Sequence, residues 1–142
     1  METYDVVLLS LTSHETVRVT VDADEGETSY DIALHICVDG DDIVTADEQY
    51  FYAYQKMRDA LLARGYGLQC KGSLPNAVQS GMMAGTPLIY LVREGQPALE
   101  KDRACLWDYC ESSDFPTTSQ QQTAEKQWMQ SLRQITQGDD TV

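Results

Sequence analysis

Residues 15–38, ETVRVTVDADEGETSYDIALHICV, contain two runs of alternating apolar and polar side chains, separated by a short polar turn. A period of two is typical of strands that bury one face and expose the other to water. Because the turn Ala23–Glu27 is short, the two runs predict an antiparallel hairpin. The residues expected to point inward are Val17, Val19, Val21, Tyr30, Ile32, Leu34, Ile36 and Val38.

The hairpin is flanked by further strand signals. Thr3–Leu11 precedes it and includes Val6–Leu9, which is apolar on both faces and therefore suits a central strand covered on both sides. Asp39–Asp42 has the composition of a turn, and Ile43-Val44 after it favours a short further strand. The first third of the chain is thus predicted to form one antiparallel sheet.

A helix is predicted after these strands. Thr45 and Glu48 have the spacing of a capping box, and the helix should end at Arg64, before Gly65. An apolar stripe recurs at steps of four, three and four, which is the helical period. Its residues, expected to pack on the sheet, are Tyr50, Tyr54, Met57 and Leu61.

Shorter elements follow, and they complete the prediction of the fold. Strands are expected at Tyr66–Cys70, Leu88–Val92 and Ala104–Cys110, and helices at Leu74–Met83 and Thr118–Gln137. Strands that come first and helices that come later favour an α+β fold, with a mainly antiparallel sheet and helices on one face. The length fits a single domain over residues 1–137, with a frayed tail at 138–142.

Negative charge is concentrated at the start of the chain. The sequence has 23 acidic and 10 basic residues, a net charge of −13. Residues 1–48 hold thirteen of the acids and one base, Arg18, whereas residues 49–142 hold ten acids and nine bases. A one-sided negative field repels nucleic acid and anionic membranes and steers basic partners toward that side. A solvated strand face with no partner would carry the same charge pattern.

This asymmetry predicts a docking surface for a positively charged protein. Tyr52 is added to it, because a large aromatic side chain on the polar side of a helix is typical of an interface. The partner-binding residues predicted in this way are Asp22, Asp24, Glu25, Glu27, Asp31, Asp39, Asp41, Asp42 and Tyr52.

No catalytic or metal-binding motif is recognisable. His14 precedes the second strand, His35 lies on the wet face of the third, and neither belongs to a known constellation. The four cysteines include no Cys-x-x-Cys pair, so they are expected to be reduced, mostly core thiols; these are Cys37, Cys70, Cys105 and Cys110. We predict a non-enzymatic protein without cofactor or metal.

The location expected from the sequence is the cytoplasm. The chain contains no run of about 18 apolar residues, the length that a membrane span needs. Its first residues, Met1–Asp5, are acidic where a secretory signal would be basic. We therefore expect no contact with a membrane.

The strand-to-helix turn at Lys71–Gln79 is the strongest alternative site. Backbone N–H groups at the predicted helix start, together with Lys71, Ser73 and Asn76, would hold an anion or a carboxylate of a partner. A small enzyme or ligand-binding domain would use this turn. A plain capped turn explains the same residues.

Three segments resemble small bacterial immunity proteins, the cytosolic antagonists of polymorphic or contact-dependent growth-inhibition toxins. The segments are Tyr50-Phe51-Tyr52-Ala53-Tyr54, Gly65-Tyr66-Gly67-Leu68 and Gly72–Met83, within residues 45–135. The resemblance implies a non-enzymatic inhibitor that binds a basic, nuclease-type toxin domain. It carries no shared motif and thus assigns no residue. An adaptor subunit, or an antagonist that mimics nucleic acid, stays open as an alternative.

Overall fold

The computed structural model describes residues 1–27 and 30–140, with side chains described as far as Arg133. It confirms the predicted α+β class in one domain. The strands are β1 (Glu2–Ser10), β2 (Thr16–Glu25), β3 (Ile32–Val38), β4 (Asp41–Asp47), β5 (Tyr66–Leu68), β6 (Ala77–Val78), β7 (Leu88–Leu91) and β8 (Arg103–Cys105). The helices are α1 (Tyr50–Ala63) and α2 (Thr118–Asp140).

The predicted hairpin is present and lies at the centre of the larger sheet. β2 pairs with β3 in antiparallel register, with Val21 opposite Ile36 and Glu25 opposite Ile32. The sheet has the order β4-β3-β2-β1-β5, and all its pairs are antiparallel. A second sheet has the order β6-β7-β8. Each strand of the first sheet except β5 therefore pairs with its neighbour in sequence, as short connections require.

The core lies between the larger sheet and α1. Alternation along the strands buries one face, and the helical stripe of α1 closes over it; its members Tyr50, Tyr54, Met57 and Leu61 are all buried, as predicted. The strand residues beneath them are Val6, Leu8, Val21, Ala23, Ile32, Leu34, Ile36 and Val38. Trp107 stacks on Tyr4 in the same core, with ring centroids 5.4 Å apart.

Two of the residues that were expected to point inward are exposed to solvent. Tyr30 is 99% exposed, because β3 begins only at Ile32 and Tyr30 lies in the connection before it. Val17 is 47% exposed, because the pairing of β2 with β3 begins at Val21 and leaves the start of β2 without that neighbour. Thr28 and Ser29, which come before Tyr30 in the predicted strand, lie outside the described residues.

The predicted start of α1 is wrong by several residues. Thr45 belongs to β4, where it pairs with Leu34, and its hydroxyl donates to the Ala53 carbonyl. The residue before the helix is Gln49, whose side chain makes no capping hydrogen bond. The predicted end is confirmed, since Gly65 follows with a φ of +88°, a conformation that favours glycine.

The helix predicted at 74–83 is absent. This segment contains the strand β6, flanked by single 3₁₀ turns at Lys71–Ser73 and Gly81–Met83. The Gln79 side chain keeps this segment extended. Its amide donates to the Thr86 and Leu88 carbonyls, and its oxygen accepts from the Phe51 N–H. These hydrogen bonds link the segment to β7 and α1. A helix formed by the segment alone would not make them.

A buried polar network attaches α2 to the rest of the fold. The guanidinium of Arg58, on α1, is fully buried and donates to the Gln121 amide oxygen, to Thr118 and to Asp59. The Gln121 amide donates in turn to the Gly72 and Leu74 carbonyls. α2 reaches Asp140, so the segment 138–142, predicted as a tail, lies partly in the helix and partly, at 141–142, outside the described residues.

Candidate functional site

The larger sheet has an outer face, turned away from α1. Residues that alternate with the buried ones reach this face, and four of them are aspartates. Asp5, on β1, accepts a hydrogen bond from Thr20 across the sheet at 3.2 Å. We call the outward carboxylates the acidic sheet face; they are Asp5, Asp22, Asp24 and Asp42. Among the outward positions of β1–β4, Arg18 on β2 is the one arginine or lysine.

His35 lies between two of these carboxylates. Asp22 is its direct neighbour on β2, with Nδ1 and Oδ2 3.4 Å apart, and Asp42 on β4 lies closer, with Nε2 and Oδ1 2.8 Å apart. A carboxylate only accepts hydrogen bonds, so both ring nitrogens must carry protons to satisfy both contacts. The hydrogen bond to Asp42 is the main cause that raises the pKa of His35 above its usual value.

The pH dependence of stability should reveal this contact. A raised pKa in the folded state means that the contribution of His35 is complete below the unfolded value, about 6.5, and is lost as pH rises through the folded value. We expect the urea midpoint of the wild type to exceed that of His35→Gln at pH 6 and to equal it at pH 9. A constant difference between the two proteins over this range would show that the ring does not titrate against its neighbours.

An apolar strip runs beside the carboxylates on β3 and β4. Val44 lies opposite His35 and is 66% exposed, and Cys37 lies opposite Asp42 and is exposed. Ala33 and Ala46 face each other on the same side. An apolar centre with a charged rim is the usual arrangement of a protein interface. β4 is also an edge strand, although the Lys56 ammonium covers its Ala46 carbonyl at 2.9 Å.

The remaining acids predicted to bind a partner lie elsewhere. Glu25 points to the core side of β2 and accepts from the Tyr4 and Tyr50 hydroxyls at 2.5 and 2.9 Å. Asp39 accepts from the Tyr66 hydroxyl, and Asp41 pairs with Arg64 at 3.0 Å. Each of these three carboxylates therefore has a partner inside the fold.

The connection from β2 to β3 holds two more of them. Glu27 lies 2.9 Å from the Met1 amino group, and its backbone N–H donates to Asp24 at 3.0 Å. Asp31 is exposed just before β3 begins. They extend the negative charge beyond one end of the acidic sheet face without lying on it.

Tyr52 lies in a different layer from the acidic sheet face. α1 packs on the core side of the sheet, and Tyr52, 44% exposed, is on the far side of that helix. It lines a notch of about 210 Å³ where α1 meets α2, beside the ion pair of Lys56 with Asp47. A flat partner that covers Asp22 and Asp42 would not reach it.

The turn at Lys71–Gln79 uses its polar side chains internally. The Ser73 side chain is buried and hydrogen-bonded to the Tyr54 hydroxyl at 2.6 Å. The Asn76 amide donates to the Val92 carbonyl at 3.0 Å. Lys71 is half-buried, and the helix whose N-terminus was to supply further donors is absent. The helix start on which this anion site was predicted is therefore absent, and Ser73 and Asn76 make their hydrogen bonds inside the fold.

Comparison with known protein families finds no family that matches the sequence, and comparison with curated proteins finds no significant match.

Within the described residues, no group of three or more histidine, cysteine or acidic side chains is arranged to hold a metal ion. No helix in that part of the chain is both long and apolar enough to cross a membrane. The four cysteines are free thiols, but the expectation that most of them lie in the core is wrong: only Cys70 is fully buried, and Cys37 is exposed.

Proposed function

We propose that this chain is a non-enzymatic inhibitor of the immunity type, which acts in the cytoplasm and binds a basic protein through the acidic sheet face. The observation that carries the proposal is the set of outward carboxylates on β1, β2 and β4, beside an exposed apolar strip. Tyr52 and the Lys71–Gln79 turn are left out of the proposed surface, because they lie on other parts of the molecule.

The charges support fast and selective encounter with a basic surface. Asp22 and Asp42 have side chains 40% and 72% exposed, so they meet the solvent while they hold His35. A negative patch raises the rate of association with a positive one, whereas a few buried apolar contacts set the lifetime of the complex. Val44 is the largest exposed apolar side chain of β3 and β4 and is the contact we assign to the centre of the interface.

The proposed partner is a toxin domain that acts on nucleic acid. Such a domain needs a basic surface to hold phosphates, and an acidic protein seated on that surface blocks the substrate path without any chemistry of its own. The resemblance of residues 45–135 to immunity proteins leads to the same partner class.

Affinity purification from the native cell tests the proposal. The wild-type chain is expected to retain one basic protein at equal stoichiometry, and the double variant Asp22→Asn/Asp42→Asn is expected to lose it. The matched control is Glu100→Gln/Glu111→Gln, which removes the same charge from two exposed carboxylates outside β1–β4 and should retain the partner.

A growth assay then distinguishes inhibition from mere binding. Expression of the recovered partner alone should arrest growth, and co-expression of this chain should restore it. If the wild type retains no basic protein, or if the double variant and the control retain it equally, the acidic sheet face is not the docking surface. If the partner is harmless alone, the chain is an adaptor rather than an inhibitor.

A further inference from the structure

A groove of about 500 Å³ lies between α2 and the three-stranded sheet, away from the acidic sheet face. Val78 and Val92 are 6% and 5% exposed and form its apolar floor. Glu125 and Trp128, both on α2, line its wall, and Asn76 and the exposed Glu94 belong to the lining as well. The volume falls within the range of sites for small ligands, about 300–1,000 Å³.

Glu125 is the residue in this groove that nothing in the fold explains. Its side chain is partly buried, yet it has no hydrogen bond or ion pair with any residue that the structure describes. Removal from water is the one cause that raises the pKa of this carboxyl. Burial of a charge without a partner is unfavourable, so the carboxylate would be stabilised by a cation that enters the groove.

Trp128 is fixed in a position suited to the same ligand. Its indole Nε1 donates to the Gln96 carbonyl at 2.8 Å, and Ser131 on the next turn of α2 accepts from the Gly95 N–H at 2.8 Å. These two bonds hold the β7–β8 connection against α2 and define the wall. Indole is the aromatic ring that attracts cations most strongly.

We propose that this groove binds an organic cation, an ammonium or guanidinium group on an apolar stem. The charge would lie at Glu125 against the Trp128 ring, and the stem would lie over Val78 and Val92. The site is independent of the function proposed above, because it shares no residue with the acidic sheet face.

Nuclear magnetic resonance of the full chain tests this site through its two indole N–H signals. Trp107 is buried in the core and serves as an internal reference, whereas Trp128 should respond. We expect n-butylguanidinium to shift the Trp128 signal in a saturable manner at millimolar concentration, and 1-pentanol, a neutral molecule of similar length, to leave it unchanged.

Glu125→Gln should weaken this binding about tenfold, the loss expected for one charge-assisted contact, and Glu100→Gln should leave it unchanged. The glutamine variant removes an unpaired charge, so it should fold at least as stably as the wild type. Binding of N-acetyl-arginine N-methylamide more tightly than n-butylguanidinium would assign the groove to a basic side chain of a polypeptide, and the reverse order to a free small cation. Equal shifts with 1-pentanol, no saturable shift, or unchanged affinity in Glu125→Gln would overturn the proposal.

Discussion

Replacement of Arg58 by alanine is expected to destabilise the protein by about 3–5 kcal/mol, the range found when one member of a buried charged network is removed. Arg58 is fully buried, and its guanidinium donates to Gln121 and Thr118 of α2; the Gln55 amide, also on α1, donates to the same Gln121 oxygen. Loss of this side chain leaves a cavity. It also leaves buried hydrogen-bond acceptors without a donor, because water cannot easily reach them. Urea denaturation, monitored by circular dichroism, measures the change in the free energy of unfolding.

Two further variants make this prediction specific. Arg93→Ala breaks an exposed ion pair with Asp102 and should cost less than about 1 kcal/mol. Arg58→Lys keeps the positive charge but not the planar fork that reaches three acceptors, so it should be destabilised as well. If Arg58→Ala were as stable as Arg93→Ala, the network would not be what holds α2 in place.

The association rate with the basic partner is expected to fall about tenfold in Asp22→Asn/Asp42→Asn at low ionic strength, with a much smaller change in the dissociation rate. The two carboxylates contribute long-range attraction, whereas the apolar strip at Val44 contributes the short-range contact. At about 1 M salt the screening length is only about 3 Å, so the wild type and the double variant should then associate with the partner at similar rates.

Val44→Ala separates these two effects. It leaves the charges intact, so the association rate should stay close to that of the wild type while the dissociation rate rises. Stopped-flow fluorescence with the purified partner measures both rates. A double variant whose association rate is as fast as that of the wild type at low salt would contradict the proposed steering.

The hairpin and α1 could be predicted from the sequence because each is specified by a local period. Alternation over 15–38 places Ile32, Leu34 and Ile36 in the core, and the stripe from Tyr50 to Leu61 covers them, as found. Such patterns depend only on which side of an element meets water, so no knowledge of distant residues is needed.

The segment 71–83 could not be predicted in this way, because its conformation depends on contacts distant in sequence. Gln79 bonds to Phe51 of α1, Gln121 of α2 bonds to the Gly72 carbonyl, and the strand β6 exists only as a neighbour of β7. Pro75 at the start of this segment is compatible with the first turn of a helix, but these tertiary contacts decide the conformation instead.

The candidate site was predicted in its charge but not in its geometry. The acids of residues 1–48 were recognised, yet the sequence does not tell which of them the fold uses, as Glu25 and Asp41 show. The role of His35 depends on the register that places Asp22 directly opposite it. Alternation predicted that His35 and Asp22 both lie on the solvent-exposed face of the hairpin. It did not predict that they are direct neighbours, because the register of the two strands depends on the length of the turn between them.

Alkylation of Cys37, with and without the purified partner, measures coverage of the acidic sheet face most directly. Cys37 is an exposed thiol opposite Asp42, whereas Cys70 is buried and its thiol has a pKa raised by burial, so the two should differ in rate before any partner is added. We predict that the partner slows the reaction of Cys37 several-fold and leaves that of Cys110 unchanged. Reaction of Cys37 at the same rate in the complex as in the free chain would show that the partner binds another side of the molecule.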